Sequence, residues 1–486
     1  MAVIMLYKCS DCHPFRQHFK TAWENLLIFN KTCEPRNPPR MPTPQYALPL
    51  QQSERLQIID SLRGIALCGI LLMNIPYFGM PHMMDFDLRL RNETGANYYL
   101  WWIVRLFFEG TMRGFFSMLF GAGCILLLER LEKRPPGDIS PADIYYRRLL
   151  WLLLFGFVDA NVLLWNGDVL YVYAAGGLLL YPFRHAKPRL LLIVAIIALA
   201  IGTFKGTTRL YEQKAKRTKG EYALQLEKQK VKLTEKQKND KEAWEKFQKE
   251  HSRESQLKEA KEEVEAYQGS YVQTLKHVYP RNEEYQSFSV YGFFFWDLMV
   301  CFFLGMYFYK TGVLTGLKPV SFYWKLMLAG YLLGLPLNYW LLDSIFQKDF
   351  DITRMADQNL ISWYEIRRIL VLLGHLGLLM LLYKYGVAKG FLKLMASVGQ
   401  MAFTNYLMQS IICGFIFYGA GLRWYGAMER YELYIVTGCV WIFQVIFSNI
   451  WLKYYRFGPF EWVWRSLTYW KKQPFKRSTP SLPDLA

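Results

Sequence analysis

Few polar side chains in this sequence stand inside apolar runs, and those few are where chemistry could be done. The first group is Asp60, Arg63 and Asn74, within Asp60-Ser-Leu-Arg63-Gly-Ile-Ala-Leu-Cys-Gly-Ile-Leu-Leu-Met-Asn74. In a helix turning roughly 100° per residue, Asp60, Arg63, Leu67, Leu71 and Asn74 share one stripe, and Asn74 lies about 21 Å along the axis from Asp60. An ionised group at the bilayer centre costs roughly 2.5–3.5 kcal/mol, so the stripe is expected to face a protein interior or a water-filled cavity. The plainer alternative is a surface ion pair of Asp60 with Arg63 at headgroup level.

Histidine is the usual general base because its pKa lies near neutrality. Two of the seven histidines lie in or beside apolar runs: His82, beyond the outer end of the first run, and His375, in Leu372-Leu-Gly-His-Leu-Gly-Leu378. The ordinary reading of each is a ring satisfied by a hydrogen bond. Asp159 and Asp168 form another group with Asn161 and Asn166. Asp159 lies too deep in its run to reach the interface, and Asn166-Gly-Asp168 reads equally as a tight turn. Asn405 and Gln409 stand one helical turn apart, suited to a substrate contact or to hydrogen bonding between helices. Arg147 and Arg148, at an inner edge, have the forked geometry that matches phosphate.

The elements that must position these groups are membrane-spanning helices. Hydrophobic residues make up 52% and aromatics 17% of the chain, and the mean hydropathy stays near zero even though one long charged block dilutes it. That balance exceeds what a soluble domain carries. Ten apolar runs are long enough to be read as spans: 58–80, 112–128, 149–165, 168–183, 188–204, 288–309, 324–343, 367–384, 395–419 and 432–452, with 97–108 as an extra interfacial helix. The expected fold class is an all-α polytopic transmembrane bundle. Lys and Arg in short connections alternate onto one side, which places both termini in the cytoplasm, although Arg367 and Arg368 fall on the wrong side. The net charge of +18 is scattered between apolar runs, which fits anionic lipid headgroups and excludes a compact nucleic-acid surface.

The chain divides into an N-terminal extension over 1–53 without a core, a transmembrane half over 54–204, a charged insertion over 205–287, a second transmembrane half over 288–472 and a tail over 473–486. The insertion is rich in Lys and Glu and reads as long solvated helix, with a hairpin around Asn239-Asp240 and a role as spacer or as an arm for a protein partner. Cys9-Ser-Asp-Cys12-His13 formally matches a haem-attachment pattern, with His18 and Cys33 as conceivable zinc ligands. Nothing before residue 55 resembles a signal peptide, so no metal site and no permanently bound cofactor is expected. The remaining cysteines lie in apolar runs and read as small buried hydrophobes. The segment from Arg456 to Tyr469 reads as an aromatic and basic interfacial anchor.

Five ordered blocks carry a resemblance: Asp60 to Ile75, Phe116-Ser-Met-Leu-Phe-Gly-Ala-Gly123, Trp165-Asn-Gly-Asp168 through Ala174, Met401-Ala-Phe-Thr-Asn-Tyr-Leu-Met-Gln-Ser410, and Arg456 to Tyr469. Together they resemble the YeiB family of bacterial inner-membrane proteins over about residues 54–471. The C-terminal half is similar to the domain of unknown function 418. The resemblance implies a relation to the transmembrane acyltransferases, and with it an acyl group taken from a cytoplasmic donor such as acyl-coenzyme A and delivered to a glycan, lipid or small-molecule acceptor. Distant acetyltransferase relatives carry a catalytic His shortly after an Asn that ends their first span. Asn74 matches that Asn, which makes His82 the corresponding candidate; Asp60 and Asn74 are the other catalytic candidates. Arg63, Arg147, Arg148, Asp159, Asp168, His375, Asn405 and Gln409 remain candidates for substrate contact. A transporter or channel, and a non-catalytic assembly protein acting through 205–287, are the competing classes.

Overall fold

The computed structural model describes residues 57–133 and 139–477; the Cys9-Cys12-His13 motif, with His18 and Cys33, lies outside them. Seventeen α-helices follow one another: α1 (Gln57–Gly79), α2 (His82–Phe86), α3 (Ala96–Phe107), α4 (Thr111–Glu132), α5 (Pro141–Asn161), α6 (Leu170–Gly177), α7 (Pro188–Lys228), α8 (Glu235–Glu250), α9 (Arg253–Gln268), α10 (Tyr271–Glu284), α11 (Phe295–Lys310), α12 (Val320–Gln347), α13 (Tyr364–Tyr385), α14 (Lys389–Gln400), α15 (Ala402–Phe417), α16 (Arg430–Tyr454) and α17 (Pro459–Tyr469). Among the described residues there is no strand, only an isolated bridge between Tyr455 and Lys476. The chain is an all-α polytopic bundle.

The apolar runs do not become ten long helices. Among the described residues six stretches are long and apolar enough to cross a membrane: α1, the α3–α4 stretch Ala96–Glu132, α7, α12, α13 and α16. The run at 168–183 collapses to the eight residues of α6 and a 3-10 turn at Tyr181–Phe183, where Pro182 offers no N–H to continue a helix. The run at 395–419 is broken at Met401 into α14 and α15. There the Glu461 carboxylate accepts the N–H groups of Phe403 (2.8 Å) and Thr404 (3.0 Å) and so caps a fresh helix start. The stretch at 97–108 is α3, tied to α12 by Asn338, whose side-chain amide donates to the carbonyls of Arg105 and Leu106.

Glycine sets the crossing of α1 and α14. A Cβ on Gly399 would stand 1.9 Å from the Asp60 carbonyl oxygen, and one on Gly64 would stand 2.1 Å from that of Met395, so α1 and α14 touch backbone to backbone. Ser61 Oγ donates to the Leu392 carbonyl across the same crossing at 2.7 Å. This contact fixes where Asp60 and Arg63 stand.

The charged insertion differs from its expected form in two ways. Its turn lies at 229–234, ahead of Asn239-Asp240, because Thr234 and Gln237 form a capping box that starts α8 and Lys230 takes the left-handed conformation. Its second half is also docked rather than solvated. Tyr267, 1% exposed, stacks on Tyr425 with ring centroids 4.3 Å apart, and its carbonyl accepts the Gly419 N–H at 2.7 Å. Asn282 donates to the Ala160 carbonyl at 2.6 Å, and Glu263 pairs with Arg281 at 3.0 Å while accepting the Tyr425 hydroxyl. Tyr267 and Val278, diluted by charge in the sequence, are buried, while Tyr271, Val272 and Tyr279 of α10 stay exposed.

Arg367 and Arg368, which offend the charge rule, are not loop charges. Arg368 is 1% exposed and bonds Glu365 at 2.7 Å and Asp297, while Arg367 reaches Glu109 at 3.3 Å. A second buried network ties α16 to the segment after α1: Arg430 holds Asp85 and Glu93 at 2.6 Å each, and Arg105 holds the other Asp85 oxygen at 3.0 Å. Burial pushes the Asp85 carboxyl up, but the guanidiniums of Arg105 and Arg430 outweigh it and hold the group below its ordinary value.

Candidate functional site

A cavity of about 230 Å³ opens among α1, α4, α5, α6, α14, α15 and α17. Four arginines line it: Arg63 from α1, Arg130 from α4, Arg148 from α5 and Arg465 from α17. Asp60 and Glu461 supply its carboxylates, and Tyr145, Tyr173, Tyr406 and Tyr469 its phenols. The rest of the wall is apolar, with Ile59, Phe116, Leu119, Phe120, Leu127, Leu149 and Leu152. Arg130 and Phe116 lie fourteen residues apart on α4, so the lining runs about 21 Å from a cationic end into the bundle.

Each polar group is held by a second one. Arg63 Nη1 donates to Asp60 Oδ1 at 2.9 Å. The Arg148 guanidinium lies 3.7 Å over the Trp464 ring, and the indole N–H of Trp464 donates back to the Arg148 carbonyl at 2.8 Å, which seats α17 on α5. Burial pushes the Glu461 carboxyl above its ordinary range, against the hydrogen bonds it receives from Thr404 and the start of α15. Tyr145 donates to the Gly177 carbonyl at 2.6 Å, and Tyr173 shares a hydrogen bond with Ser117 at 2.7 Å. The Tyr406 hydroxyl donates to Asp168 Oδ1 at 3.3 Å and accepts the Val169 N–H at 3.1 Å. These three phenols are thus oriented from outside the cavity.

All five blocks singled out in the sequence put side chains on this one wall: Asp60 and Arg63; Phe116, Phe120 and Gly123; Leu170 and Tyr173; Ala402, Phe403 and Tyr406; Glu461, Trp464 and Arg465. Residues 308–471 match the family model described as Protein of unknown function (DUF418). The chain is 28% identical over 452 residues to "Uncharacterized protein YxaH" of Bacillus subtilis (strain 168), which covers 89% of this chain and 98% of the relative. It is 26% identical over 429 residues to "Uncharacterized protein YeiB" of Escherichia coli (strain K12), covering 85% of this chain and 96% of the relative. The chain is thus similar to YeiB over most of its length and carries a DUF418 match in its C-terminal part. No solved structure matches the chain.

The cavity takes in three of the candidates read from the sequence, Asp60, Arg63 and Arg148, and the others lie elsewhere. Arg147 turns away to lie 5.5 Å over the Trp470 ring. Asn74 shares the α1 stripe but not the cavity, being partly exposed about 21 Å farther along the helix. His82 is exposed on α2, against Tyr77 at 5.2 Å between ring centroids. His375 bridges helices: Nδ1 meets the Tyr331 hydroxyl and Nε2 the Phe107 carbonyl, both at 2.7 Å. Asp168 backs the cavity through Tyr406 and caps α6 by accepting the N–H groups of Leu170 and Tyr171. Asp159 is fully buried beside it. Asn405 donates to Val398 and Ser448, and Gln409 to Gln444, so these amides join α15 to α16.

Sequence reasoning missed Arg130, Arg465, Glu461, Tyr173 and Tyr406 as site residues. Four of the five lie inside the blocks, which was the available signal. Arg465 and Glu461 were absorbed into the reading of Arg456 to Tyr469 as an anchor, whereas α17 is a wall of the cavity as well as an interfacial helix.

Proposed function

We propose that this protein is a membrane acyltransferase whose cavity receives an acyl donor from the cytoplasmic side, acyl-coenzyme A being the donor class. The observation that carries the reading is the cavity itself, where four arginines and an apolar wall line one space and all five family blocks meet. Phosphates would sit against the arginine forks, and the acyl-thioester end would run inward past Asp60 and Arg63. In the reaction an acceptor hydroxyl or amine attacks the thioester carbonyl, its proton passes to a carboxylate, the C–S bond breaks and the thiolate leaves. Asp60 is the carboxylate we assign as proton acceptor, with Arg63 at 2.9 Å orienting it. His82 and His375 take no part in this scheme.

The test is equilibrium binding of radiolabelled acyl-coenzyme A to the purified protein in lipid nanodiscs. Wild type is expected to bind, and Arg148→Gln to bind at least tenfold more weakly, the loss expected for one charge-assisted phosphate contact. Failure of wild type to bind acyl-coenzyme A, together with uptake of an unmodified solute into proteoliposomes, would replace this reading with a transporter.

A further inference from the structure

Gly121 and Gly123 sit two residues apart on α4 in opposite surroundings. A Cβ on Gly121 would stand 2.2 Å from the Phe302 carbonyl oxygen, so α11 closes that position to anything larger. A Cβ on Gly123 would meet only the Arg63 Nη2, at an ordinary 3.7 Å, although the residue lines the cavity. Glycine is a poor helix former, and at 123 neither packing nor a left-handed backbone asks for it. What it leaves is open space beside the Asp60–Arg63 pair. The cavity is also elongated: its 230 Å³ extend along α4 from Arg130 to Phe116, about 21 Å, which makes it a slot rather than a chamber.

We propose that this slot accepts one unbranched alkyl or acyl chain whose phosphate-bearing head stays at the Arg130 end, and that Gly123 is the specificity-determining position that keeps the slot open past Asp60 and Arg63. The identity of the head as coenzyme A rests on the donor reading above; the shape of the slot does not.

The experiment measures binding of butyl, octyl and 2-ethylhexyl phosphate, and of coenzyme A and octanoyl-coenzyme A, to full-length protein in nanodiscs. Wild type is expected to bind octyl phosphate on the order of a hundredfold more tightly than butyl phosphate, from four buried methylenes. The branched isomer is expected to lose most of that gain. Gly123→Leu should bind butyl phosphate as wild type does, show no further gain with octyl, and keep its melting temperature; Gly123→Ala should fall between. Chain-length dependence that survives Gly123→Leu, or a branched chain that binds as well as the straight one, overturns the proposal. Octyl phosphate behaving as expected while octanoyl-coenzyme A fails to bind leaves the slot standing and removes the donor reading. Binding of neither removes both.

Discussion

Removing the Arg430 side chain is expected to be among the most damaging single changes to this fold. Arg430 is 1% exposed and makes 2.6 Å contacts to both Asp85 and Glu93, which are themselves buried. In Arg430→Leu, Asp85 keeps Arg105 at 3.0 Å, but Glu93 keeps only Arg91 at 4.0 Å. Stranding a buried charge in this way costs about 3–5 kcal/mol. The pH dependence follows from Asp85. In wild type its folded value is depressed, so its contribution is fully present above the unfolded value and is lost only as pH falls through the lower folded one. Without Arg430, burial works against a single remaining guanidinium and the folded value rises. The deficit of the variant is therefore largest near neutrality and shrinks as pH falls and the carboxylates take up protons. Denaturant unfolding in mixed micelles at pH 7 and pH 5 measures both quantities. The triple change Arg430→Leu, Asp85→Asn, Glu93→Gln should recover most of the loss. A deficit below about 1 kcal/mol at pH 7, or one that grows toward pH 5, would refute the argument.

His375→Gln should lower stability by about 1–2 kcal/mol, because two hydrogen bonds at 2.7 Å are disturbed, while leaving acyl-coenzyme A binding within twofold; paired melting and binding measurements check this. Within the insertion, replacing residues 222–242 by a short Gly-Ser turn should shift the melting temperature little, since most of that hairpin is exposed. Tyr267→Ala should instead cost about 3–5 kcal/mol and open α9 and α10 to limited proteolysis, because the ring is buried against Tyr425.

The membrane-spanning character of the chain was legible because apolar length is a one-dimensional property, and α1, α7, α12, α13 and α16 appear close to where it places them. What ends a helix is often not local. The α14–α15 break depends on Glu461, some sixty residues downstream, reaching back to the N–H groups of Phe403 and Thr404, and the run at 395–419 contains no sign of it. The docking of α9 and α10 was hidden for the converse reason. Tyr267, Val278 and Asn282 are a small minority in a charged block, and only the partner surface of Tyr425, Ala160 and Gly419 shows them to be contacts rather than exceptions.

The site was legible only as far as one helix reaches. The α1 stripe correctly put Asp60 and Arg63 on a common face, but helical periodicity alone extends that face to Asn74, which the cavity does not include. A stripe states which residues look the same way, whereas a cavity ends where another helix closes it, and here Phe116, Phe120 and Phe403 from α4 and α15 are among the residues closing it. The arginines show the same limit from the other side. Arg147 and Arg148 are equivalent in the sequence, yet a one-residue step of roughly 100° separates a side chain stacked on Trp464 at the cavity wall from one directed at Trp470. Both tryptophans belong to the C-terminal segment, so the choice between the two arginines is made by α17 and its end. Reading that segment as a bilayer anchor explained its aromatic and basic residues one by one. It could not explain why Glu461, with no reason to sit at an anionic surface, stands among them; its place as cap of α15 and wall of the cavity does.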